Sequence, residues 1–298
     1  MKKILSFLLV AVMVVASLGV LTSCGDKQGK DQASDDFKIG FIFLHDENST
    51  YDKNFLDAAE AATAELGLKP EQVIFKTNIP EGNECYEAAA DLADQGCNIV
   101  FANSFGHEPY MLKAAKEFPE VEFCHATGTT AHTENVPNFH NAFASIYEGR
   151  YLAGIAAGMK LNEMIESGKI TADQAKMGYV GAFTYAEVIS GYTSFYLGAK
   201  SVCPSVTMDV QFTGSWYDAT EEKNAAEALI ERKCVLISQH ADSMGAPTAC
   251  ENAGVPNVSY NGSTVDACPN TFIVSFAFLF CLTQKRTPPN NNRTIISH

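Results

Sequence analysis

The sequence predicts an α/β chain of two similar lobes, each built on a parallel sheet, with a cleft between them. Three observations carry this. Short apolar runs alternate with longer runs of helical period. Two of the resulting blocks match each other at a constant offset. The apolar runs also end abruptly in polar and aromatic residues, as strands do when they open onto a binding crevice.

The first run, "FKIGFIF" from Phe37, leaves little room for a solvated face and reads as a buried strand. It breaks into "LHDENSTYDKNF", Leu44 to Phe55, where Ser49 or Thr50 is expected to cap a helix. Helix-like "NFLDAAEAATAELGL" follows, then strand-like "QVIFKTNI", helix-like "CYEAAADLADQG", strand-like "CNIVFANS", helix-like "YMLKAAKEF" and strand-like "VEFCHATG". A long helix-like run, "EGRYLAGIAAGMKLNEMIESG", comes next. The alternation then resumes through "KMGYVGAF", "VISGYTSFYLGAKSV", "TMDVQFTGSW", "EEKNAAEALIERK", "CVLISQHADS", "APTACENAG" and "VPNVSYNGS". The block from Ala88 lies on the block from Ala225 without a gap, so Leu92 falls on Leu229, Cys97 on Cys234 and Asn103 on His240. Two lobes of like construction would set strand ends from both sides against one cleft.

Those strand ends supply the candidate ligand contacts. The first lobe offers Asp46, Tyr51, Asn103, Ser104, Phe105, His125 and Thr127, and the second offers Phe183, Trp216, His240, Asp242 and Asn261. Aromatic faces stack a flat ring, while Asp and Asn side chains hydrogen-bond its edge.

The chain opens with "MKKILSFLLVAVMVVASLGVLTSC", two lysines before an apolar run that ends in small residues and a cysteine. This reads as an export signal. A membrane span of about 20 residues is the alternative, but Leu21-Thr22-Ser23-Cys24 resembles a lipobox, in which Cys24 is lipid-modified. "GDKQGKDQASDD" then reads as a flexible tether. The formal net charge of −14 argues against a nucleic-acid partner, which needs a basic face. Eight of the nine cysteines follow Cys24, dispersed and without a CxxC pair, so zinc is not expected. Cys250 with Cys268 is a conceivable disulfide that the sequence does not decide. His45, Asp46 and His240 are too scattered to mark a metal site, and no cofactor is expected.

"EGRYLAGIAAGMK", "SVCPSVTMDVQFTGSWYD" and "ISQHADS" resemble the basic membrane protein family of bacterial lipoproteins, the solute receptors of ABC importers. "SFGHEPYMLKAAKEFPEVEFCHATG" and "YAEVISGYTSFYLGAKSV" are similar to one branch of it. The resemblance, from about Lys38 to about Ser275, implies the type I periplasmic-binding fold: two Rossmann-like lobes with parallel sheets and a central cleft. It also implies a purine base or nucleoside as ligand, permease and ATPase partners, and an extracytoplasmic, lipid-anchored location. It places Asp46, Asp242 and Asn261 at polar contacts, with Tyr51 and Phe55 at or beside a stacking position. Where many relatives have an acid, this chain has Asn261. The expected organisation is signal peptide 1–23, tether 24–36, first lobe 37–145, second lobe 146–257, a return segment 258–275 and an atypical tail 276–298. That tail reads as a truncated or frameshifted end. The lobes are expected to meet near residues 141–148 and 258–262.

Two other classes stand beside this one. A hydrolase acting on a nucleoside would need a nucleophile and base that meet in space. His240, Asp242 and Ser243 are only neighbours in sequence, and there is no G-x-S-x-G elbow, so an enzyme is not expected. A surface lipoprotein serving as a sensor or structural antigen, without a transport role, is the other.

Overall fold

The structure, a computed structural model, describes residues 36–276, all within one compact unit. Cys24, the leader before it, the tether as far as residue 35 and the tail from residue 277 lie outside the described residues.

The first lobe holds β1 (Ile39–Ile42), β2 (Val73–Lys76), β3 (Ile99–Ala102), β4 (Glu122–Ala126) and β5 (Phe139–Ala142) in one parallel sheet of order β2-β1-β3-β4-β5. Between the strands lie α1 (Thr50–Glu65), α2 (Asn83–Asp94), α3 (Glu108–Glu117) and the short α4 (Ala131–Glu134). The second lobe begins with α5 (Ile146–Glu166) and continues through β6 (Lys176–Gly181), α6 (Ala186–Val202), β7 (Thr207–Phe212), α7 (Ala219–Glu231), β8 (Leu236–His240), α8 (Gly245–Ala253), β9 (Asn257–Tyr260) and β10 (Phe272–Phe276). Its sheet is also parallel, in the order β10-β9-β8-β6-β7.

Eight of the ten described strands form within the expected apolar runs, as strands covered on both faces do; β5, "FHNA", and β10 lie outside them. On one face of the first sheet Ile42, Leu92, Val100, Met111 and Phe123 make a buried cluster. On the other face Phe41, Phe43, Phe55 and Ala59 make a second. Helix starts follow local chemistry: Ser49 caps α1 by accepting from the Asp52 amide, and Asp218 caps α7 by accepting from the amides of Thr220 and Glu221. Gly254 ends α8 in the left-handed conformation, φ 67°.

The stretch 258–275 departs from its expected role as a return segment. Val258–Tyr260 belong to β9, which pairs with β8, and Phe272–Phe276 form β10 beside β9, so this stretch builds the second sheet. The apolar residues of "PNVSY" and "FIVSF" satisfy their backbone groups there. The chain passes out of the first sheet between Ala142 and Ile146.

Helices α5 and α6 cross at backbone contact. A Cβ on Gly154 would stand 2.0 Å from the Phe195 carbonyl oxygen, and one on Gly198 would stand 2.0 Å from that of Tyr151. Neither obstacle is a flexible side chain, so the helices themselves must move. Gly154→Ala is expected to cost about 3 kcal/mol, the upper end for overpacking. In a domain of this size that is a fall in Tm of roughly 6–12 °C, which a thermal melt of purified protein checks.

Candidate binding site

In each sheet one strand is the point where the order reverses, and ligands of open α/β sheets sit outside the strand ends at such points. The reversal lies between β1 and β3 in the first sheet and between β6 and β8 in the second. A narrow cavity of about 20 Å³ lies there, lined by Leu44, Tyr51, Ser104, Phe105 and Thr127 from the first lobe and by Glu187, Trp216, Asp242 and Tyr260 from the second. That is room for about one water, so a ring-sized solute fits only as the lobes part.

The lobes touch across it. The Thr50 amide and hydroxyl both donate to the Asp242 carbonyl, at 2.9 and 3.1 Å. The Phe105 and Tyr185 rings stand 5.1 Å apart, and those of His45 and Tyr217 stand 5.2 Å apart.

On the first-lobe wall, Asn103 is buried at the end of β3 and organises its neighbours. Its side-chain amide donates to Asp52 (2.8 Å), and its carbonyl accepts from the Tyr51 hydroxyl (2.6 Å). The Tyr51 ring is thereby fixed at the cavity, with Phe55 behind it at 4.9 Å in the core. Ser104 and the Gly106 amide both donate to the Glu81 carboxylate, at 2.5 and 2.7 Å, which holds the turn that presents Phe105. Burial lowers the His125 pKa to about 4. Its ring is therefore neutral, and its Nε2–H donates to the Ser104 carbonyl at 2.6 Å. Thr127 takes a left-handed φ of 72° and leaves its buried hydroxyl without a protein partner.

The second-lobe wall carries the polar chemistry. Asp242 follows β8 and is 3% exposed, and its Oδ1 has no protein partner. Burial pushes its carboxyl well above the usual range, helped by the acids Asp52, Glu222 and Glu187. Trp216 is half-buried against Phe183 (5.2 Å, edge-on), with its Nε1–H unpartnered. Its carbonyl accepts from the Asp242 amide (2.9 Å), which ties the two residues together. Glu187 stands in the first turn of α6. Arg150 on α5 is fully buried; it donates to the Gln239 carbonyl (2.6 Å) and lies over the Tyr260 ring at 4.4 Å.

Six of the residues expected from the sequence therefore line the cavity: Tyr51, Ser104, Phe105, Thr127, Trp216 and Asp242. Asn103, Phe55 and His240 support it from behind, the His240 ring lying 4.3 Å from Tyr260. Asn261, at φ 60°, is buried beside Tyr260 with its side-chain amide unpartnered, but does not line the cavity.

Asp46 does not reach the cavity. Its carboxylate accepts from the amide and side chain of Asn48, at 3.0 and 2.8 Å, and from Asn78 at 3.4 Å. These bonds hold its pKa down, the Asn48 amide foremost. The buried acid of that segment is Asp52, inside α1. Asp46→Ala is expected to leave ligand affinity unchanged, which calorimetric titration checks. Glu187, Tyr260 and Leu44 line the cavity without having been expected there; Tyr260 ends β9 and Leu44 follows β1, so the same rule reaches them, whereas Glu187 stands inside the first turn of α6. Among the described residues no group of His, Cys, Asp and Glu could hold a metal ion, and no helix is long and apolar enough to cross a membrane.

The chain matches, over residues 42–277, the family model described as ABC transporter substrate-binding protein, PnrA-like. It belongs to that family, Bmp. A purine-binding protein of Brucella abortus is 32% identical over 246 residues, covering 82% of this chain and 65% of that protein. An ABC transporter nucleoside-binding protein, BmpA, of Lactococcus lactis is 26% identical, covering 79% of this chain and 65% of its own length. The chain thus spans less than two thirds of these relatives' lengths. Among solved structures, an ABC-transporter solute-binding protein of Aeropyrum pernix superposes with a TM-score of 0.69 at 20% identity, over 80% of this chain and 66% of that one. The fold is that of the two-lobed periplasmic solute receptors.

Proposed function

We propose that this chain is the solute receptor of an ABC importer and closes on a purine base or nucleoside between its lobes. One observation carries the reading: Tyr51, Phe105, Trp216 and Tyr260 supply ring faces in the same cavity where Asp242 and Trp216 leave a buried acceptor and donor unpaired. Buried polar groups are normally hydrogen-bonded, so an unpaired set facing one cavity is what a polar-edged, flat ligand would satisfy. Family membership and the purine-binding relative from Brucella support the same ligand class. The lipobox at Cys24 supports anchoring on the outer face of the cell membrane, where the receptor would deliver its solute to a permease driven by an ATPase subunit. Binding and release suffice for that role, with no bond broken. Native mass spectrometry of the full-length chain tests the reading. A purine mass released from the folded protein is expected, and a folded chain that carries none and takes up none when purines are added refutes it.

A further inference from the structure

Glu187 lines the cavity beside Trp216 and Asp242. Its side chain is 11% exposed, and the nearest ring nitrogen, His240 Nε2, is 3.9 Å away. No hydrogen bond from a described residue reaches its carboxylate. Arg150 is the buried cation on its side of the lobe; it donates to the Gln239 carbonyl and lies over the Tyr260 face, and its Nε and Nη1, which have no partner, do not reach Glu187 in a hydrogen bond. Arg150 is not among the cavity-lining residues, and neither is any lysine or other arginine. A carboxylate in a nearly dry pocket needs hydrogen-bond donors, and here the cavity side is where they must come from.

We infer that Glu187 is a specificity-determining ligand contact whose carboxylate accepts N–H hydrogen bonds from the bound heterocycle, so that the site takes neutral purines and refuses anionic ones. This rests on the purine reading above.

The groups that face Glu187 decide how the contact responds to pH. Arg150 comes from α5, Tyr179 from β6, His240 and Asp242 from β8 and the loop after it, Tyr260 from β9 and Tyr51 from across the cleft. Burial pushes Glu187 up to about 7, with Arg150 opposing. Burial holds His240 well below its usual value and raises the three tyrosines, so none of those four changes charge near neutrality. Asp242 is also raised, and Glu222, bonded to the Ser243 amide behind it, is pushed up to about 7 as well. A variant is therefore needed to assign the proton.

The test is calorimetric titration of the full-length chain and Glu187→Gln with adenine and with adenosine monophosphate, at about pH 6 and pH 8. If binding requires ionised Glu187, the parent should bind adenine roughly tenfold more tightly at the higher pH. Glu187→Gln should bind more weakly than the parent at the higher pH and show no pH dependence, and the parent should not bind the monophosphate. Equal affinity and an unchanged pH slope in Glu187→Gln would overturn the inference while leaving the purine reading intact, as would tight binding of the monophosphate by the parent. A flat parent profile overturns the inference, and should Glu187→Gln melt well below the parent, Glu187→Ala is titrated in its place, where an unchanged pH slope overturns it. A folded parent that binds no purine at either pH overturns the purine reading, and this inference with it.

Discussion

Asp242→Ala should weaken purine binding by about 10- to 150-fold while raising the melting temperature of the unliganded protein. Both effects have one cause. The Asp242 carboxyl is 3% exposed, and its Oδ1 has no partner within the protein. A hydrogen bond that involves a charged group contributes roughly 1.5–3 kcal/mol, which converts to that change in affinity. Without ligand the same group is a liability. Burial raises its folded-state pKa above the unfolded value, so the group costs stability as pH rises from the unfolded pKa through the folded one. Near neutrality the alanine variant is relieved of that cost. Glu187 and Glu222, both pushed up to about 7 by burial, add to the same trend, while His107, His125 and His240, held low by burial, oppose it, so the cost is read as the difference between Asp242→Ala and the parent, which should grow from pH 5 to pH 7. Asp242→Asn should show a smaller affinity loss, because the amide keeps one acceptor. Lower affinity together with a lower melting temperature in Asp242→Ala would mean that Asp242 serves the fold rather than the ligand.

Trp216→Ala should weaken binding by about 5- to 150-fold. Stacking a base on an aromatic ring contributes roughly 1–3 kcal/mol by alanine substitution, and that energy sets the range. Trp216 is placed for it, since the indole lines the cavity with Phe183 and Tyr185 packed behind it at 5.2 and 6.0 Å. Trp216→Phe should lose less, because it keeps a ring face and gives up the unpartnered Nε1–H. Trp216 is also the single tryptophan of the chain, so intrinsic fluorescence of the parent reports on the site alone. An alanine variant that binds as well as the parent would make Trp216 a wall of the cleft and nothing more.

The alternation of apolar and helix-period runs places eight of the ten described strands, because strands buried on both faces are apolar almost throughout; "FHNA" of β5 is too short and polar to show in it. It was not enough to assign the stretch from Val258 to Phe276. β10 pairs only through its backbone with β9, and nothing in "FIVSF" names its partner strand. At the site, strand-end logic reached Tyr51, Ser104, Phe105, Thr127, Trp216 and Asp242 because each follows a run that could only be a strand. It misplaced Asp46 for a reason that lies in tertiary contact: Asn48 bends back onto that carboxylate, and Asn78 approaches it from beyond β2. Asp52 was hidden by its place inside a helix, where an acid ordinarily faces water. Its burial depends on Asn103, 51 residues away. Glu187 looked like an ordinary first-turn acid, and only the closeness of β8 and β9 makes it a cavity residue.

The central claim is that these two lobes hold a purine. Calorimetric titration of the full-length chain with adenine and adenosine, followed in parallel by Trp216 fluorescence, tests it most directly. Saturable one-to-one binding of at least one of them is expected, with a fluorescence change that saturates at the same ratio. A chain that melts cooperatively yet gives neither heat nor fluorescence change with any purine would contradict it.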